Sequence, residues 1–323
     1  MNFPEGVKIR QDVADKFVGF VIERNRIYKK KEIEHAPWPW TKDTVLRTYR
    51  FTNVKRFQDK QCRHLIRVIV QNEKLSYVEK LLNCIIFRVW SKGETFDLFA
   101  DKETGAYPIE YVENLDWNDL YRRRNQKLAT DKDYSWYTGA FQVFSFAHYY
   151  SAPEDPTGNL GPLRMAQRVL KDGVLDRIQA AKTPADVCDA IMSVYMLSKF
   201  FSYQMLTDFT YIPEFPFSED DFVICGNGST LGIDLLFEDR DKYSREDAVR
   251  MLYENQEELF AGYDLEKEFD YPLYYRGKKN LSLHDFENCL CEFSKYYRET
   301  QGTGHCKQKY RQSLGGRQKK IFS

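Results

Sequence analysis

The sequence predicts an all-α fold, and three observations carry that reading. Apolar residues return at helical spacing along most of the chain, with little of the two-residue alternation that marks strands. The breaks between periodic stretches are built from Pro, Gly and helix-capping residues. No internal repeat interrupts this order, which leaves a set of packed helices as the architecture.

In chain order, residues 12–30 read as the first helix. Phe17, Phe20, Val21, Ile27 and Tyr28 recur at near-helical spacing, with Asp15, Arg26 and Lys29 outward. Pro37 and Pro39 force an extended turn. Thr41 is placed to cap a helix beginning near Lys42, with Asp43 in its first turn. Residues 58–70 follow, buried along Leu65, Ile66 and Ile69. Arg56, Lys60, Arg63 and Arg67 recur about a turn apart on the other side, either as a solvated face or as a ridge that tracks phosphates. Residues 75–90 are apolar too broadly for a surface helix and are expected at the centre. Residues 117–124 form a helix ending in Arg122, Arg123 and Arg124.

The stretch 151–162 holds Pro153, Pro156, Gly158, Gly161 and Pro162 and is the expected boundary between lobes. This gives one lobe over residues 1–150, a second over 151–300 and a basic, flexible tail over 301–323. Helices are expected at 163–178, at 183–196 behind the Thr183-Pro184 start, at 199–209, at 245–260 behind a Ser244 cap, and at 283–298.

With 323 residues, 42% hydrophobic and 30% charged, the chain can bury a sizeable core without disulfides. Lys+Arg and Asp+Glu both number 48, so any contact with a polyanion must use local patches rather than overall charge. Aromatics at 15% exceed what a core alone asks for and suit base stacking. No apolar run approaches membrane-spanning length. The polar start and the odd count of seven cysteines predict reduced thiols in a cytoplasmic setting, the host's if the source is viral. Cys289 and Cys291 with His305 and Cys306 fit no common metal-ligand spacing, so no metal is expected.

Five blocks bear chemistry. The first is Pro39-Trp40-Thr41-Lys42-Asp43 followed by Arg50-Phe51-Thr52-Asn53-Val54-Lys55-Arg56, where apolar anchors alternate with polar groups too densely for an ordinary solvated helix. The second is Tyr137-Thr138-Gly139-Ala140-Phe141, whose small residues permit close approach of a backbone or a flat ring. The third contains Tyr203, Gln204 and Asp208. Gln204 and Asp208 share a helix face, and Asp208 in so apolar a helix is either a structural acceptor or a general base. The fourth is Gly226-Asn227-Gly228-Ser229, a glycine turn entering a helix, whose N–H groups suit a phosphate of a DNA backbone. No Gly-Lys-Ser/Thr follows it, so it is not an ATP-binding Walker loop. The fifth is Cys291-Glu292-Phe293-Ser294-Lys295-Tyr296-Tyr297-Arg298, where Lys295 and Arg298 share a face as a cationic clamp, or as an exposed ion-pair helix.

Taken together and in this order, the blocks resemble the alpha-glutamyl/putrescinyl-thymine pyrophosphorylase family. The match runs from about Val18 to Tyr310. Asn227 stands where the family has Pro, and Phe141 where Tyr is more usual. That family also includes the helical domain of hydroxymethyluracil DNA kinases. The resemblance implies a bilobal helical fold like that of helix-hairpin-helix DNA glycosylases. It implies a transferase that replaces the (pyro)phosphate of phosphorylated 5-hydroxymethyluracil in DNA with an amine, without a cofactor. The implied partners are that DNA, an amine co-substrate (an amino acid or putrescine), and a hydroxymethyluracil DNA kinase as a functional link.

The implied roles fall on the matched positions. Trp40, Phe51 and Tyr203 would stack on an extruded base. Arg50, Arg56, Lys295 and Arg298 would take the leaving pyrophosphate, and Asn53 or Gln204 would bond the uracil edge. Asp208 first, or Glu292, would accept the amine's proton, and Asp43 completes the substrate-binding set. Two other readings stand beside this one. A DNA glycosylase would cut the N-glycosidic bond, with Asp234 or Asp239 as its acid, and a non-catalytic DNA-binding module would recruit a kinase.

Overall fold

The computed structural model describes residues 4–138, 144–238, 242–269, 275–304, 306–310 and 312. The fold is all-α: the described residues form seventeen α-helices, with isolated bridges such as Tyr49 to Lys309 in place of strands. Among them no helix is long and apolar enough to cross a membrane. The chain forms two compact units, Met1–Asp59 with Glu219–Ser323, and Lys60–Ser218. The expected boundary at 150/151 therefore falls inside the second unit.

The reason is Asp155. It is fully buried, and its oxygens accept from the N–H groups of Asn159 and Leu160, both at 2.9 Å, and from Arg164 at 2.9 Å. Arg124 closes the group at 3.2 Å. Proline and glycine in this stretch thus shape a pinned turn around a buried charge, which needs such partners to be tolerated.

In the second unit the helix Tyr77–Trp90 lies at the centre, as its pattern predicts, with every residue from Leu81 to Trp90 buried. A Ser76–Glu79 capping box starts it. The expected helix over 58–70 is Lys60–Leu65 continued by a wider turn, Ile66–Val70. Of its basic side, Lys60, Arg63 and Arg67 are solvated while Arg56 is buried: Lys60 pairs with Glu94 at 2.6 Å, and Arg67 bonds His64 at 3.0 Å. The expected helix over 163–178 is two helices, Gly161–Lys171 and Val174–Ala180, because Gly173 adopts φ 61° and turns the chain. Thr183 caps Pro184–Met192 and Ser198 caps Lys199–Phe209.

The first unit is organised by two long helices, Gln11–Tyr28 and Leu283–Thr300. Phe17 and Phe20 meet Phe293 at 5.3 and 5.7 Å, and Phe20 stacks on Tyr296 at 4.6 Å. The helix Asn227–Leu236 lies against Leu283–Thr300 so closely that a Cβ on Gly228 would strike the Cys291 sulfur, and one on Gly232 the Leu290 carbonyl. Asp43, rather than Thr41, caps the helix Thr44–Thr48, its Oδ1 accepting the Leu46 N–H at 2.8 Å. Thr41 sits two residues earlier and accepts the Asp43 N–H through its hydroxyl.

Candidate functional site

The Arg50–Arg56 block has no helix at its start, so its backbone polar groups need other partners. Side chains supply them. Arg24, buried in the first helix, donates to the Thr52 carbonyl at 3.1 and 2.6 Å and to that of Asn53 at 3.1 Å. Asn288 donates to the same Asn53 carbonyl at 2.9 Å and accepts the Thr52 hydroxyl at 2.9 Å. The Thr52 N–H reaches Glu292 Oε2 at 3.3 Å, and the Asn53 N–H reaches Asp59 Oδ1 at 3.0 Å.

Three carboxyls gather around this clasp. Glu292 is buried and accepts Lys295 Nζ on Oε1 at 2.5 Å. Glu287 accepts the Gly226 N–H at 3.2 Å. Burial pushes its carboxyl up, against the Ser229 hydroxyl, the Gly226 N–H and the Arg56 charge. Asp59 is raised to about 6, first by loss of solvent, with the Asn53 N–H and the charges of Arg24 and Arg56 opposing and Glu292 adding to the rise. Arg56 is buried beside these groups. Among the described residues, the buried Nη1 of Arg24 has no hydrogen-bond acceptor. The cluster therefore holds carboxyls shifted toward neutrality beside cations, a combination suited to proton transfer near an anionic leaving group.

Lys295 and Arg298 are exposed on one face of their helix, as their spacing predicts. Lys295 is held above its ordinary pKa by Glu292, despite burial that lowers it. Arg298 folds back to the Ser294 carbonyl at 3.1 Å. Arg50 is exposed, and its N–H donates to the Gln308 carbonyl at 2.8 Å. Phe51 packs edge-on against Phe20 at 5.6 Å. Trp40 is buried, donates to the Ala36 carbonyl at 2.8 Å and meets Tyr310 at 5.2 Å. Asp43 accepts the Tyr296 hydroxyl at 2.7 Å, which ties the first block to the last. For Trp40 and Phe51 the structure supplies packing partners that the sequence pattern leaves open.

At the glycine turn, Gly226 caps the helix, Asn227 is exposed, and Ser229 is buried with its hydroxyl donating to the Gly226 carbonyl at 2.9 Å. Glu287 already takes the Gly226 N–H, and Glu246 takes that of Cys225 at 3.1 Å. The protein's own carboxylates thus stand where the sequence suggests a phosphate. Gly228 serves the helix crossing described above.

Tyr203, Gln204 and Asp208 lie in the second unit and are buried. Asp208 has no exposure, and Arg88 donates to both its oxygens at 2.6 Å. This is a structural acceptor's environment, with a guanidinium in place of backbone N–H groups. Tyr203 packs against Phe200 at 6.1 Å. In the second block, Tyr137 donates to the Gly158 carbonyl at 2.6 Å, while Gly139, Ala140 and Phe141 lie outside the described residues, as do Asp239, His305, Arg311 and residues 313–323 of the tail. Burial raises the thiols of Cys289 to about 12 and Cys291 to about 11, which leaves them poor nucleophiles. Among the described residues no group of three or more His, Cys, Asp or Glu could hold a metal ion.

Sequence reasoning passes over Arg24, Asp59, Glu287 and Asn288. Two of them carry a readable signal. Arg24 lies one turn from Phe20 on an apolar face, and Glu287 one turn from Leu283, so each is a charge on a side that must be buried.

The model of the family described as "5-hmdU DNA kinase, helical domain" matches residues 11–305. A 5-hmdU DNA kinase of Bacillus phage SP10 is 25% identical over 324 residues, covering 92% of this chain and 48% of that protein. The chain thus spans about half the length of that relative. No solved structure matches. These findings support the kinase-domain branch of the resemblance rather than the pyrophosphorylase family itself.

Proposed function

The chain belongs to the family of 5-hmdU DNA kinase helical domains, and from that premise we propose that it is a DNA base-modifying transferase. Its substrate is DNA carrying 5-hydroxymethyluracil phosphorylated to the pyrophosphate on its exocyclic oxygen, and its second substrate is an amine, either an amino acid or a polyamine such as putrescine. The amine nitrogen forms a bond to the exocyclic methylene carbon. The carbon–oxygen bond to pyrophosphate breaks, the pyrophosphate leaves with the electron pair, and a carboxylate takes the amine's proton.

One observation carries this reading: Asp59, Glu287 and Glu292 gather with Arg24, Arg56 and Lys295 around the clasped Arg50–Arg56 block. Cations beside the departing pyrophosphate stabilise charge that develops only in the transition state. A carboxyl near neutrality can accept a proton at physiological pH. Lys295, Arg298 and Arg50, which are exposed, are the first contacts for the polyphosphate. Asn53 sits within the clasp and Asp43 ties it to Tyr296, so both position the site. The Arg88–Asp208 pair supports a structural role for Asp208, and Glu292 replaces it as the matched carboxylate of the site.

The test incubates the protein with phosphorylated hydroxymethyluracil DNA and a panel of amines, then digests the DNA to nucleosides and weighs them. A nucleoside heavier by the amine, with pyrophosphate released, is the expected result. Release of free base instead would identify a glycosylase. A second reading has one observation in its favour. The relative is twice as long and is named a kinase, so the chain could serve as a DNA-binding module for a kinase. Purified protein that modifies no DNA alone, but increases phosphorylation of hydroxymethyluracil DNA when a hydroxymethyluracil DNA kinase is added, would select that reading.

A further inference from the structure

We infer that Asp59, which the sequence blocks do not single out, is the group that accepts the amine's proton. This rests on the transferase reading above and names the residue that performs one of its steps.

The carboxylates of the protein differ in what their oxygens already hold. Glu292 has Lys295 on Oε1 and the Thr52 N–H on Oε2. Glu287 holds the Gly226 N–H and faces the Ser229 hydroxyl, so it is committed to the glycine turn. Asp208 has both oxygens on Arg88. Asp59 differs. Among the described residues the one hydrogen bond to its carboxylate is from the Asn53 N–H to Oδ1, at 3.0 Å. Oδ2 is left to receive a proton, and the residue keeps part of its surface exposed.

The surroundings suit the task. Arg24 faces Asp59 from the first helix, Arg56 from its own turn, and Glu292 from the last helix. The two cations keep Asp59 ionisable in a poorly solvated place, and Glu292 restrains the loss of its proton. Its pKa of about 6 leaves it mainly ionised at neutral pH, yet basic enough to take a proton from an amine whose nitrogen is becoming positive. The Asn53 N–H fixes the carboxyl on the block that carries the other matched residues. In the step itself, the nitrogen–carbon bond forms, pyrophosphate departs, and the surplus proton moves from nitrogen to Oδ2.

The test compares native protein with Asp59→Asn on phosphorylated hydroxymethyluracil DNA with several amines. The amide keeps an oxygen for the Asn53 N–H and removes the basic oxygen. Turnover is expected to fall at least about a hundredfold, with DNA affinity within about threefold. In the native protein the log of the rate should lose one unit of slope against pH near the Asp59 pKa, at the same pH for every amine, and Asp59→Asn should lack that break. Thermal melting at pH 7.5 separates chemistry from fold. A catalytic Asp59 carries a desolvated charge, so Asp59→Asn should melt no lower than native. Retained turnover, or lost turnover together with a lower melting temperature, overturns the assignment. A native protein inactive with every amine overturns the transferase reading, and this inference with it.

Discussion

Arg88 and Asp208 form a two-pronged ion pair, both bonds 2.6 Å, with side chains 5% and 0% exposed. Each charge is out of water and each is satisfied by the other. Such a pair gives little net stability against apolar replacements, yet breaking it strands a charge in the core.

Asp208→Asn is therefore expected to cost about 3–5 kcal/mol of stability by urea unfolding. The double replacement Arg88→Met, Asp208→Leu should recover most of that loss. Should Asp208→Asn unfold at the native urea concentration while amine transfer vanishes, Asp208 would regain the role of base.

The crossing of Asn227–Leu236 with Leu283–Thr300 gives a second expectation. Gly228→Ala sets a methyl against the Cys291 sulfur, and Gly232→Ala sets one against the Leu290 carbonyl. Each should destabilise by about 1–3 kcal/mol. Cys291→Ala removes the obstructing sulfur, so it should restore much of the loss in the Gly228→Ala background. It should leave Gly232→Ala unrelieved, since a backbone carbonyl cannot be trimmed. Equal rescue of both would mean that the helices simply move apart. Melting temperatures of the five proteins decide this.

Glu287 provides a pH dependence with a definite sign. Its folded carboxyl is raised above the unfolded value by burial. The folded state thus binds the proton more tightly, so this group makes stability fall as pH rises from the unfolded pKa through the folded one. Glu287→Gln keeps an acceptor for the Gly226 N–H without the charge. It should flatten that part of the stability curve and raise stability at neutral pH relative to native. A steeper curve in the variant would show that the Arg56 charge outweighs burial. Urea midpoints between pH 4 and pH 8 are the measurement.

Much of the fold is legible from residue order because helices are local. The spacing of apolar residues marks the central Tyr77–Trp90, and Thr183-Pro184 and Ser244 mark starts that become capping boxes. The all-α class and the exposed Lys295–Arg298 face follow from the same short-range periodicity. Domain division was not legible, because the Pro- and Gly-rich stretch around Asp155 looks like a linker until its buried carboxylate finds Arg124 and Arg164.

Sequence order alone determined which helices form, where they begin, and which faces must be apolar. Tertiary structure decided what each buried polar residue meets. Asp208 found Arg88, 120 positions away, and Glu292 found Thr52, 240 positions away. Local periodicity tells that a charge is buried, but its partner depends on which helices cross, and that is settled by packing over the whole unit.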